Sequence, residues 1–548
     1  MWRLLLTVGM LVYAGVYGPV GFDHNDGGFI LGLAYQVAQG ASLYTDVIYV
    51  RPPVTPILHS VVFWGPLSYA PVLADRFIFF LQMGLCSWLS ARMAGGMCGW
   101  RDAWTAGVAA AGFMFSVHGF PAMGWHTVDG VFFSVLALYC LWRGLDGRRV
   151  HLGMAGIFAL AAAGSKQPFY VVLPLLVSLA IWLRARPSML VLLLVPAAAM
   201  LSLGLGWLSS RGELDAFLGA VSAQTSLQDL LDAGVWAYVD DLKAKYGAAV
   251  FLAVGVALAV ARRESKASGH RTLAAALLLG VVMASLILLA RIYWRAESWL
   301  HPSSVFDVIF LATLVCTLTM IGQERSDFWP WMAAMHVIAW AASISWGYQT
   351  VSLYMMPPIL VIAYWLGRHM VDWRGARYVL VGLLPCMAWV FFAAHQFTYS
   401  LEGPSSRVAS VKDLGKLNAS FRFIRVTEPI YQDYAQLKFL KQQYPGPFVT
   451  LPNMPASHLL TNEPNPVGID WPLNAEVGRF TASIEDRLTQ RVSYAFIRRG
   501  GQPDPSRNDK FGSAVTTFVQ DHWPRLATVG SFDIHRNPRF ADGFIGNH

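Results

Sequence analysis

Residues 188–208 read SMLVLLLVPAAAMLSLGLGWL, a stretch with no charged side chain. A helix needs about 20 consecutive apolar residues to cross the hydrocarbon core of a bilayer, whereas a helix on the surface of a soluble protein alternates apolar and polar faces. Similar runs recur at 272–290, 303–321 and 378–394, with Asp307 the one charged residue among them. Hydrophobic residues make up 55% of the 548 positions and charged residues 14%, too apolar a balance for an ordinary soluble domain. These blocks predict a mainly α, polytopic membrane protein. A lipid-embedded segment must satisfy its backbone internally, so the crossings are read as helices.

About thirteen crossings are expected, at 4–20, 72–92, 103–118, 128–143, 150–164, 168–184, 188–208, 246–261, 272–290, 303–321, 328–346, 351–367 and 378–396. No A-x-A site follows the first of them, so it reads as a retained helix rather than a cleaved signal peptide. The formal charge of +8 does not point to nucleic acid, because the basic residues gather in short connections. Arg92 and Arg101 lie in one, Arg143, Arg148 and Arg149 in another, and Arg184 and Arg186 in a third. Arg262, Arg263, Lys266 and Arg271, then Arg325, then Arg368, Arg374 and Arg377 complete the series. They fall on every second connection, which marks the cytoplasmic side. The outward connections are then 21–71, 119–127, 164–168, 209–245, 291–302 and 347–350.

This topology divides the chain into a membrane domain, 1–396, and an exoplasmic domain, 397–548, outside the cytoplasm. The second part is richer in Pro, Asn, Asp and Arg. Its short apolar runs, Phe448–Leu451, Ser493–Ile497 and Ala527–Phe532, read as strands, and Thr481–Arg491 and Ala514–His522 as amphipathic helices, giving a small α/β domain. The five cysteines, Cys86, Cys98, Cys140, Cys316 and Cys386, all lie in or beside apolar blocks, so no disulfide framework is implied for that domain.

The first outward loop is too long and too patterned for a simple connection. It runs Phe22-Asp23-His24-Asn25-Asp26-Gly27-Gly28, then an amphipathic segment from Phe29 to Gln39, Gly40, Tyr44-Thr45-Asp46, and Tyr49-Val50-Arg51-Pro52-Pro53 before a second apolar segment to Leu67. A helix closed by glycine and a Pro-Pro restart read as segments lying in the membrane interface. Asp26 is then held at the membrane surface, while Asp23 and His24 read as solvated loop groups.

In this order Asp26-Gly-Gly, a helix, Gly40, Tyr44-x-Asp46 and Arg51-Pro52-Pro53 resemble the first exoplasmic loop of the GT-C superfamily of membrane glycosyltransferases. The likeness is strongest to the branch of protein O-mannosyltransferases and lipid A aminoarabinose transferases. That branch typically carries Asp-Glu where this chain has Asp26-Gly27, so the second carboxylate is missing or supplied elsewhere, by Asp23 or Asp46. Three further features are similar: Trp125-His126-Thr127-Val128-Asp129 at the outer mouth of a helix, Gly164-Ser165-Lys166-Gln167 between two helices, and the aromatic-to-proline run Tyr348 to Pro358 containing Tyr354. The resemblance covers roughly 1–395.

The resemblance implies an inverting hexosyl- or pentosyltransferase that moves a sugar from a polyprenyl-phosphate donor to an acceptor hydroxyl on the outer membrane face. The acceptor would be a glycan, lipid or protein, and the setting a cell membrane, in particular a bacterial inner membrane. It implies Asp26 as general base, with Asp129 sharing that role or orienting the acceptor. Lys166, Arg291 and Arg295 would hold the lipid phosphate, and Asp46, Arg51, His126 and Tyr354 would bind substrate. No cofactor is indicated, no His-x-x-x-His spacing suggests a metal, and a divalent-cation requirement stays open. No Walker loop, dinucleotide motif or Gly-x-Ser-x-Gly elbow occurs, which argues against a nucleotide-sugar donor. The alternatives are a lipid or solute transporter or flippase, and a ligase or polymerase of lipid-linked glycans. A transporter would favour inverted repeats and charges deep in the spans.

Overall fold

The computed structural model describes residues 2–22, 26–118, 120–223, 302–323, 326–344, 353–370, 410–452, 454–499 and 512–540, with short pieces at 232–236, 239, 396–397 and 405–406. In chain order the first helices are α1 (Trp2–Tyr17), α2 (Phe29–Ala38), α3 (Val54–Ser60), α4 (Pro71–Cys98) and α5 (Asp102–His118). Then come α6 (His126–Leu145), α7 (Val150–Ala163), α8 (Val172–Trp182), α9 (Pro187–Ser210) and α10 (Leu214–Ala223). The bundle is completed by α11 (Pro302–Gln323), α12 (Phe328–Ser343) and α13 (Met356–Met370).

Ten of the expected crossings are helical within the described residues; those at 246–261, 272–290 and 378–396 lie outside them. Three helices, α4, α6 and α9, are long and apolar enough to span a membrane on their own sequence. They differ in surroundings. The apolar windows of α4 and α6 are 56% and 61% buried within the protein, but that of α9 only 11%. So α4 and α6 form the middle of the bundle, and α9 turns its side chains outward, where apolar exposure is tolerated only by lipid or another chain.

The C-terminal half contains α14 (Glu428–Gln443), α15 (Ser457–Thr461), α16 (Asn474–Val477), α17 (Thr481–Arg491) and α18 (Ala514–His522). Its strands β1 (Phe448–Leu451), β2 (Tyr494–Arg498), β3 (Arg525–Val529) and β4 (Phe532–Arg536) form one sheet in the order β1-β2-β4-β3. The β1–β2 pair is parallel and the other two are antiparallel. Side chains alternate across this sheet, as the two-residue period requires. Val449, Leu451, Ala495 and Ile497 pack on Ile484, Leu488, Val515 and Val519 from α17 and α18. Phe448, Phe496, Phe532 and Ile534 pack the other way, on Tyr434, Leu437 and Leu440 of α14. The expected α/β character is therefore present, with one correction. The apolar run 527–532 is not a single strand; it straddles a hairpin that turns at Gly530, where φ is +55°.

The first loop is locked against this half. Phe22, Leu31, Val62 and Val72 share an apolar core with Phe421, Tyr434 and Phe496, so one core crosses the boundary drawn at 396. Val20 bridges to Arg425, and Gly21 donates to the Arg425 carbonyl at 2.7 Å. Ile48 donates to the Gly468 carbonyl at 2.8 Å, and Arg487 donates to the carbonyls of Thr45 and Asp46. Helix α2 corrects another expectation. Read as an amphipathic helix lying in the membrane interface, it is buried along nearly its whole length, with Gln36 donating to Asp470 at 3.0 Å. Amphipathic periodicity reports that one face is apolar, and a protein surface satisfies it as well as lipid does. The close approach is made at Gly28 and Gly32: a Cβ there would fall 2.6 Å from the Ala456 nitrogen and 2.7 Å from the Pro455 oxygen respectively.

Candidate active site

Asp129 sits in the first turn of α6 and is fully buried. A carboxylate there gains from the helix N-terminus, but that alone does not repay burial. The remainder comes from two elements. Gln82 of α4 donates its amide to Asp129 Oδ1 at 2.7 Å, and His59 of α3 meets Asp129 Oδ2 through Nε2 at 3.2 Å. The other imidazole nitrogen, Nδ1, lies 2.5 Å from Asp75 Oδ1 on α4, and the Gly124 amide donates to Asp75 Oδ2 at 2.7 Å. Asp75 and Gln82 are seven positions apart and so lie on one face of α4. Gly124 is required where it stands: a Cβ would fall 2.5 Å from the His59 ring. The result is a buried chain Asp75–His59–Asp129–Gln82. Burial disfavours the imidazolium, but Asp129 and Asp75 more than offset this and push His59 up to about 10. The two acidic neighbours thus favour the protonated imidazole.

A second cluster lies against it. The segment 49–54 is tied to the turn 164–167 twice: Val54 donates to the Gly164 carbonyl at 2.9 Å and Gln167 to the Val50 carbonyl at 2.9 Å. This brings Arg51 and Lys166 side by side. Lys166 Nζ donates to Thr127 Oγ1 at 3.2 Å and to the Ile344 carbonyl at 2.7 Å. Burial and the adjacent Arg51 charge push the Lys166 amine down to about 7, with Glu476 opposing. His126, next to Thr127, packs against Trp125 with ring centres 4.4 Å apart and planes tilted by 34°. Burial first, then Arg51 and Lys166, push His126 well below its ordinary value, so it is neutral.

Arg51 forms a two-pronged ion pair with Glu476 of α16, one prong being Nη1 to Oε2 at 2.5 Å. Burial works against the guanidinium charge and Glu476 outweighs it, with Asp26 adding in the same direction. The guanidinium lies over Phe29, 5.8 Å from the ring centre, and Phe29 packs on Trp125 and Trp471 at 5.9 and 5.3 Å. Asp26 is buried and its carbonyl accepts the Phe29 amide at 3.0 Å. Asp26 lies three positions before Phe29 and Asp129 four after Trp125, and the Phe29–Trp125 contact joins the two segments. Among the described residues, Tyr49 Oη, Thr55 Oγ1, Gln82 Oε1 and His126 Nδ1 are buried without a hydrogen-bond partner in this region. Such groups are costly and mark places where water or a ligand is held. Among the described residues no three of His, Cys, Asp and Glu converge on a metal position.

Of the residues singled out in the sequence, Asp129 lies in the first cluster, Arg51, His126 and Lys166 in the second, and Asp26 acts on the charge of Arg51. Two residues expected to bind substrate do not join them. Asp46 is exposed and accepts the Ser42 amide at 2.9 Å, bracing its own turn. Tyr354 is buried within the bundle and shares a 2.7 Å hydrogen bond with Ser90, eight positions beyond Gln82 on α4, or about 12 Å along the helix. Arg291, Arg295 and Asp23 lie outside the described residues. The sequence reading did not single out His59, Asp75, Gln82, Tyr49 or Glu476. Asp75 carried a usable signal, an ionisable residue inside an apolar span, which is rarely retained without a role. Glu476, not Asp46, brings a further carboxylate to the first loop.

No family model and no curated protein matches the chain. Among solved structures, it is similar to the oligosaccharyltransferase AglB from Archaeoglobus fulgidus in complex with an inhibitory peptide and a dolichol-phosphate, at 11% identity, TM-score 0.49, covering 99% of this chain and 75% of that one. It is also similar to ArnT from Cupriavidus metallidurans bound to undecaprenyl phosphate, at 12% identity and TM-score 0.42, covering 98% of each chain. The arabinofuranosyltransferase AftD from Mycobacteria matches at 13% identity and TM-score 0.40, covering 98% of this chain and 41% of that one.

Proposed function

We propose that the chain is a GT-C-type membrane glycosyltransferase that transfers a sugar, with inversion, from a polyprenyl-phosphate donor to an acceptor hydroxyl at the outer face of a membrane, in particular a bacterial inner membrane. The observation that supports this reading is the meeting of acidic and basic side chains beside the helical bundle. The segments bearing Asp26 and Asp129 meet through Phe29 and Trp125, Asp26 acts on the charge of Arg51, and Arg51 acts on Lys166 and His126.

The chemistry needs both kinds of group. A carboxylate must take the proton from the acceptor hydroxyl as the bond to the sugar forms. Asp26 fills that role. Asp129, held by His59 and Gln82, is fixed in place and orients the acceptor. The departing polyprenyl phosphate needs fixed cations; we assign Lys166, Arg291 and Arg295 to this task, with Arg51, which is paired with Glu476 in this structure, beside them. A Lys166 amine near pH 7 gains its proton as phosphate arrives, because the added anion favours the charged form. The C-terminal half, on the same side as the first loop, closes the site from outside the cytoplasm.

The test is transfer of radiolabelled sugar from a panel of polyprenyl-phosphate sugars to membrane acceptors. Wild type is expected to transfer, and Asp26→Asn to lose about 10²–10⁴-fold in kcat. Undiminished transfer by that variant moves the base to Asp129. Solute or lipid movement with no transfer from any donor selects the transporter reading, and transfer of whole glycans selects the ligase or polymerase reading.

A further inference from the structure

The charge of Arg51 is met by a carboxylate from the far end of the chain. Arg51 and Glu476 are 425 positions apart, both buried, and joined in a two-pronged pair. A planar guanidinium fork accepts a carboxylate or a phosphate equally well. Around this fork the neighbouring nitrogen groups are only partly engaged. Lys166 donates to two neutral oxygens, those of Thr127 and Ile344, and His126 Nδ1 has no partner among the described residues. A carboxylate has two oxygens and occupies the fork; a phosphate has three and reaches a neighbouring nitrogen as well.

The pair is not what docks the C-terminal half. That half is held independently by Gln36–Asp470, by Arg487 on the carbonyls of Thr45 and Asp46, by the Val20–Arg425 bridge, and by the apolar core around Phe22 and Phe421. Helix α16 is a single turn: Glu476 and Val477 donate to Leu473, Asn474 donates to the Gly512 carbonyl and accepts the Ala514 amide, and Val477 packs in the core with α17 and α18. None of the docking contacts just named runs through α16, so a shift of this turn leaves them in place.

We propose that Glu476 is a built-in competitor, a carboxylate standing in the Arg51 fork that the phosphate of a polyprenyl carrier takes over on binding, with α16 moving aside. This rests on the lipid-phosphate reading above. Two anions do not share one buried fork, because their repulsion is large where water is excluded. Exchange of one for the other ties binding of the freed polyprenyl phosphate to displacement of the segment from the C-terminal half.

The experiment uses the full chain in nanodiscs with a short-chain polyprenyl phosphate, the matching uncharged polyprenol, and inorganic phosphate. Hydrogen exchange of wild type is followed at 471–480. Polyprenyl phosphate is expected to lower protection there and leave α17 and α18 unchanged, while the polyprenol does nothing. Glu476→Gln is expected to bind polyprenyl phosphate at least about tenfold more tightly, the size of one modest charge competition. Equal loss of protection with inorganic phosphate supports the exchange and assigns the ligand as the free anion. Binding to wild type with protection at 471–480 unchanged or raised overturns the competitor, as does weaker binding by a folded Glu476→Gln. If that variant does not fold, the wild-type exchange measurement decides alone. Polyprenyl phosphate binding to neither protein overturns the lipid-phosphate reading itself, and the competitor with it.

Discussion

His59 holds two carboxylates that would otherwise face each other in the interior. Removing it by His59→Gln keeps a hydrogen-bonding side chain but deletes the charge. A buried ion pair that loses one partner costs about 3–5 kcal/mol, so thermal unfolding in detergent is expected at a clearly lower temperature. The pH dependence has a defined sign. The folded imidazole is raised from 6.5 to about 10, so its contribution is complete below about pH 6.5 and is lost as pH climbs toward 10. Wild type should therefore lose thermal stability on going from pH 7 to pH 10 by more than the His59→Gln variant does; parallel curves would remove the imidazolium from the account. The same residues show how much of the site can be read from sequence. Asp26 and Asp129 were legible because each borders an apolar block at a fixed place in a patterned loop. His59 was not, since a single histidine in an apolar segment has no periodic or spacing signal. Its meaning comes from Asp75 and Asp129, 16 and 70 positions away. Glu476 was further out of reach, because charge composition does not say which carboxylate of the C-terminal region turns inward.

Helix α2 depends on two glycines that admit the C-terminal half. Gly32→Val would place a branched side chain against the Pro455 carbonyl, and something on one side must shift. A destabilisation of about 1–3 kcal/mol is expected, typical of forcing extra carbons into a packed contact. Limited proteolysis should then cut the C-terminal half sooner than in wild type, while the bundle fragment survives. Unchanged cleavage would show that the contact is not holding the two together. The bundle helices were the most legible elements, because long uncharged runs specify both helix and length. Thr481–Arg491 and Ala514–His522 were also found where periodicity put them. Helix α14 was missed, since Glu428–Gln443 mixes charged and aromatic residues and buries only a narrow stripe. The β3–β4 hairpin was misread because its apolar residues run through the turn. The interfacial reading of α2 failed for want of information: a single amphipathic helix does not say what covers it.

Across the whole molecule, the first loop and the C-terminal half lie on the same side of the bundle, whatever the number of crossings between them. In a cysteine-free background, Asp46→Cys in the loop and Val411→Cys in the C-terminal half are both at exposed positions. A membrane-impermeant thiol reagent is expected to label both from the outside of intact cells. Labelling of one without the other would contradict the docked arrangement, and labelling of both only after lysis would reverse the orientation given by the basic clusters. The long reach between Arg51 and Glu476 also imposes a schedule on the ribosome. At about 5–20 residues per second, about 20–85 s separate synthesis of Arg51 from synthesis of its partner. Throughout that interval the nascent chain carries an unmatched guanidinium and an uncovered α2, after the first helices are already made. Insertion machinery or lipid headgroups must shelter that surface in the meantime. A ribosome that stops before α16 leaves behind a bundle whose Arg51 never meets its carboxylate.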